Sequence, residues 1–109
     1  MTIALALEYI PRRMRELGYG DRYSIRLRHL VLRPGEKRKL DAHGEIFLLV
    51  TGSQDITVKS EFGIYDPISE AINELQYEHQ GLIRVRNYSP QQQAVQFIQL
   101  IPQKEQPCP

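Results

Sequence analysis

The chain has 109 residues, 41% of them apolar and 25% charged, with a net charge of +1. That is one domain of ordinary soluble composition, which excludes wholesale disorder. No apolar run approaches the ~20 residues that cross a bilayer, and the single cysteine, Cys108, excludes an internal disulfide framework and a cysteine-built zinc site.

The N-terminus, MTIALALEYIPRR, carries Glu8 inside its apolar stretch and has no cleavage-site pattern. It is not read as a signal peptide, and synthesis in a cytoplasm is expected. Thr2 to Tyr9 alternates Ile3, Leu5 and Leu7 against Ala4, Ala6 and Glu8, which predicts a short strand or extended arm. Pro11 then opens a helix of one or two turns over RRMREL, closed by Gly18. Tyr19-Gly20-Asp21 is a turn. Tyr23 to Arg33 is a strand with Ile25, Leu27 and Val31 on one face and Ser24, Arg26 and Arg28 on the other. Arg33-Pro34-Gly35-Glu36 has the residues of a type II turn.

Lys37 to Leu40 reads as a short basic strand ended by Asp41-Ala42-His43-Gly44. Glu45 to Val50 is a continuous apolar run, expected to be a strand buried on both faces. Ile56 to Lys59 and Phe62 to Tyr65 are further strands. Ile68 to Gln76 fits either a short helix or an irregular crossover. Leu82 to Tyr88 and Ala94 to Ile101 flank the polar break Ser89 to Gln93 and predict a β-hairpin whose second strand is central in a sheet. The spacing of short strands implies a mainly β fold: a single-domain β-sandwich of jelly-roll type with one or two short helices. The division is an arm and short helix at 1–19, the sandwich at 20–102 and a tail at 103–109.

The three histidines are the first candidates for chemistry. His43 stands near Glu45 and His79 beside Glu78, so two His/acid pairs could meet across a sandwich. No His-X-His pair exists, and solvated turn histidines are the better reading. His29 is expected at the core edge. No nucleophile arrangement or phosphate loop appears. The expectation is a non-enzymatic protein with no metal and no cofactor.

Charge is divided unevenly. Residues 1–44 hold ten of the fourteen Lys and Arg and five of the thirteen acids, a balance of +5, and residues 45–109 balance at −4. The basic half could face a partner or another copy. A nucleic-acid surface using Arg12, Arg13, Arg15, Arg26, Arg28 and Lys37 to Lys39 is conceivable. The pI of 7.9 speaks against it.

The stretch Glu74 to Gly81 (ELQYEHQG), followed by LIRVRNYS and AVQFIQLIP, resembles the closing strands of the small jelly-roll decoration, or cement, proteins on tailed-phage capsids. LRPGE and VKSEFGIYDP are similar in kind. The resemblance implies a virion structural protein made in the host cytoplasm, a dimer or trimer that binds the major capsid protein or another virion protein. Its partner-binding residues are expected to be Ile3, Leu5, Leu7, Tyr9, Arg12, Arg13 and Arg15. The alternatives are a cupin-like or carbohydrate-binding jelly roll with a ligand near His43 and His79, and a small nucleic-acid-binding β-protein.

Overall fold

The computed structural model describes residues 2–51, 55–67 and 77–103. The Leu5 N–H donates to Thr2 Oγ1 at 3.2 Å, an N-cap that starts helix α1, Ile3–Glu16. The extended arm expected from Ile3, Leu5 and Leu7 is therefore helical. The decisive period is Ala6, Ile10 and Met14, one residue every four, and these are the positions α1 buries. Pro11 lies inside α1 rather than opening it. The helix ends where Tyr19 N–H reaches Met14 C=O at 2.9 Å, with Gly18 at φ +88°.

Six strands follow: β1 (Tyr23–Leu32), β2 (Lys37–Thr51), β3 (Ile56–Ser60), β4 (Gly63–Tyr65), β5 (Glu78–Asn87) and β6 (Gln93–Pro102). They form one antiparallel sheet in the order β1-β6-β2-β5-β3-β4. The fold is mainly β, as expected, with one described helix. The Arg33–Glu36 turn forms, closed by Glu36 N–H to Arg33 C=O at 3.0 Å with Gly35 at φ +72°. The ambiguous segment 68–76 and the end of the tail, 104–109 with Cys108, lie outside the described residues.

Two expectations about strand pairing are corrected. β5 and β6 do not form a hairpin, because β2 runs between them. β6 is nevertheless an interior strand, with β1 and β2 as neighbours. The stretches expected as two strands, Lys37 to Leu40 and Glu45 to Val50, belong to one 15-residue strand. It is broken by a bulge, not a turn: β2 advances five residues from Ala42 to Phe47 while β5 advances two, from Gly81 to His79. Gly44 and Gly81 take positive φ, 77° and 75°, at this point. A methyl group on Gly81 would also stand 2.7 Å from Glu61 Oε2.

The bulge adds a second neighbour to β2. Before it, Lys37 to Ala42 pair with β5 alone, and beyond it Phe47 and Leu48 keep β5 on one edge while Ile46 to Thr51 pair with β6 on the other. The sheet curls accordingly. Asn87 at the end of β5 donates through Nδ2 to Leu32 C=O at 3.3 Å and Arg33 C=O at 3.1 Å at the end of β1. Those strands are three places apart in the sheet, and strands in a flat sheet would be about 14 Å apart at such a separation. The concave face encloses a core contributed by all six strands, including Leu32, Ile56, Val58, Ile83, Val85, Val95 and Phe97. The convex face of β2 and β6 is covered by α1, where Ala6, Ile10 and Met14 pack on Ile46, Leu48, Val50, Ile98 and Leu100. Of the expected run Glu45–Val50, Ile46 to Val50 are thus buried on both faces, as their unbroken apolar sequence implies, and Glu45 is half-buried.

Candidate functional site

Of the residues expected to meet a partner, Tyr9 and Arg13 are engaged within the chain. They flank the buried stripe of α1 and reach Glu78 on β5. Tyr9 Oη donates to Glu78 Oε1 at 2.6 Å, and the Arg13 guanidinium spans both carboxylate oxygens, Nε to Oε1 at 2.9 Å and Nη2 to Oε2 at 3.0 Å. Glu78 is only 4% exposed, so this fork ties the helix to the sheet. Burial, reinforced by the bond to Glu78, pushes the Tyr9 hydroxyl up to about 12.

Ile3, Leu5, Leu7, Arg12 and Arg15 are exposed. Leu5, Arg12 and Arg15, with Glu8, Tyr9 and Tyr77, line an open cleft of about 620 Å³. A second apolar group lies on the same side of the sheet. Ile25 and Leu27 on the edge strand β1 pair with Leu100 and Ile98, so they share the face on which α1 packs, yet α1 leaves them 47% and 59% exposed. The face of β1 that alternation marks as apolar is therefore the open one. Leu30 and Leu32, on the face shared with Arg26 and Arg28, enter the core instead.

The histidines do not assemble. His43 is exposed and bonded to Asp41 through both its backbone and Nδ1. That carboxylate raises the imidazole pKa, and the same contact lowers Asp41. His79 is fully buried, with Nδ1 2.8 Å from Ser60 Oγ, and is not the solvated turn histidine expected. His29 is exposed rather than at the core edge. Among the described residues, no three of His, Cys, Asp and Glu come together as metal ligands.

What the fold does assemble is positive charge. On β2, β5 and β3 the core side takes Leu40 and Ala42, Ile83 and Val85, and Val58. The alternate residues therefore project outward together. Cross-strand register places them in two rows, Lys37 opposite Arg86 opposite Thr57, and Lys39 opposite Arg84 opposite Lys59. The five cations line a cleft of about 460 Å³, with Tyr88 at its end. The Arg86 guanidinium lies 4.2 Å from the Tyr88 ring centroid. Its Nε is enclosed and has no hydrogen-bond partner among the described residues. The three-residue excess on β2 reverses its side-chain parity, so this face and α1 lie on the same convex side, at opposite ends of β2.

Sequence reading missed Lys59, Arg84, Arg86 and Tyr88. The period-two signals Lys37/Lys39 and Arg84/Arg86 were present, but nothing local shows that these strands are neighbours. The charge division along the chain was a poor guide, because three of the five cations come from the half with the negative balance. Compared with known protein families, curated proteins and solved structures, the chain matches none of them.

Proposed function

We propose that this chain is a non-enzymatic virion structural protein of the capsid-decoration type, docking on an assembled shell through the outer side of α1 and the neighbouring edge strand β1. The observation that carries the reading is the apolar surface left open there, Ile3, Leu5 and Leu7 on α1 with Ile25 and Leu27 on β1. A helix and an edge strand that keep large aliphatic side chains in water on one side of a small domain have the character of an unfilled interface. The partner is a capsid or other virion protein, and the protein acts as a dimer or trimer. Its mechanism is passive. A rigid scaffold repeats weak contacts over a lattice, and avidity makes the sum tight.

The curled sheet is consistent with a jelly-roll-type sandwich. β2 is bent by a bulge beyond which it gains β6 as a neighbour while keeping β5, and bulges are where strands turn corners between layers. The bond from Asn87 to Leu32 joins the ends of strands belonging to the two pairs. The test is co-sedimentation of purified protein with pre-assembled phage capsids. Binding that survives 1 M salt and is lost with Leu5→Asp or Leu27→Asp supports the reading. Absence of co-sedimentation at any salt, or binding indifferent to both changes, rejects it.

A further inference from the structure

We propose that the convex face of β2, β5 and β3 is a second binding site that takes a single-stranded nucleic acid, with its phosphates along the two rows of cations and a base against Tyr88. Like charges directly opposite one another on neighbouring strands weaken a sheet. Here Lys37 faces Arg86, and Arg84 stands between Lys39 and Lys59. None of the five forms an ion pair within the described residues, so no carboxylate among them offsets that repulsion by direct contact. Two carboxylates border the rows without an ion pair to them, and Glu61 shares a shallow cleft with Lys59 and Arg84. Asp41, the next outward residue of β2, is bonded to His43, and Glu61 lies in the β3–β4 turn against Gly81.

Three features favour a phosphodiester strand over a generic acidic surface. Cations alternate along each strand about 6.8 Å apart, at two residues per repeat, and about 4.8 Å apart across strands, a spacing that offers each phosphate two donors. Arg84 and Arg86 present planar forks suited to paired phosphate oxygens, Arg84 from an exposed position and Arg86 from a half-buried one. Tyr88 is half exposed, with one side of its ring braced by Arg86. A ring held rigid beside a basic track is the arrangement on which successive bases stack without sequence preference. The face is open and two rows wide, enough for a few nucleotides.

The experiment is fluorescence anisotropy of the full chain with a labelled single-stranded oligonucleotide across a salt series. If all five cations meet phosphates, the slope of log K against log salt approaches about −3.5, a loss of roughly 100-fold between 50 and 200 mM. Lys39→Ala/Arg84→Ala, both exposed positions, should make that slope shallower by about 1.4. Tyr88→Ala should weaken binding about tenfold with the slope unchanged. Circular dichroism checks that each variant is folded. Failure to bind at 50 mM salt overturns the proposal. So does a slope unmoved by Lys39→Ala/Arg84→Ala but lost with Arg12→Ala/Arg15→Ala, which would place the contact on α1. Equal affinity for inorganic polyphosphate of matched charge, with no effect of Tyr88→Ala, overturns the nucleic-acid assignment.

Discussion

The Arg13 guanidinium closes a two-pronged bond on the Glu78 carboxylate, 2.9 and 3.0 Å across its two contacts, and so locks the last turn of α1 to the start of β5. Removing one partner of such a pair leaves a charge in a site too dry to hold it. Arg13→Ala should therefore cost about 3 kcal/mol in urea unfolding. Replacing the whole network, as Tyr9→Phe/Arg13→Met/Glu78→Leu, should recover most of that loss, because nothing polar is then stranded. A triple variant no more stable than Arg13→Ala would show that the pair itself, rather than the stranded charge, matters.

Pro11 offers a direct check on the helix. Inside α1 it denies Leu7 C=O its usual N–H donor, and a proline in a helix interior is about 3 kcal/mol worse than alanine. Pro11→Ala, at an exposed position, should raise stability by about 2–3 kcal/mol without changing the strand signal in circular dichroism. A neutral or destabilising result would place Pro11 at a helix start, with an extended arm before it.

Asn87 closes the curl. Its Nδ2 serves Leu32, Arg33 and Gln91 carbonyls, and its Oδ1 takes the Ser89 N–H at 2.9 Å. Asn87→Ala leaves several of these groups buried without partners and should cost about 3 kcal/mol. Hydrogen exchange should then quicken at the ends of β1 and β5 and in the loop to β6, more than in the middle of β2.

Self-association should be probed by point substitution. Deleting residues 1–10 would remove Ala6 and Ile10 from the core and unfold the domain. Leu5→Asp and Leu7→Asp change only exposed positions. The expected result by light scattering is a shift towards monomer at unchanged thermal stability. An unchanged mass with both substitutions would exclude α1 as the self-association surface.

His43 should titrate above the ordinary histidine value of 6.5, because the Asp41 carboxylate favours its charged form. A raised folded-state value means that the contact's contribution to stability is full below 6.5 and fades as pH rises through the raised value. Proton NMR of His43 should show this upward displacement in the native chain and its loss in Asp41→Asn. No difference between the two would show that the Asp41 contact does not govern the imidazole.

Local chemistry alone determined much of this protein. The unbroken run Ile46–Val50 declared a strand covered on both faces, the proline and glycine of Arg33–Glu36 declared their turn, and alternation in Leu82–Tyr88 separated Ile83 and Val85 from Arg84 and Arg86. These are decided by backbone torsions and by which side of a pleat a side chain occupies, and both are local. Tertiary structure decided the rest. Ile3, Leu5 and Leu7 alternate like a strand, but packing rewards the burial of Ala6, Ile10 and Met14, and that makes the segment a helix. Leu82–Tyr88 and Ala94–Ile101 look like a hairpin, but β2 offers each of them a better face and enters between them. The five-cation face could not be read from the chain, because Lys39, Lys59 and Arg84 become neighbours only through cross-strand register, and register is set by the global match of buried faces.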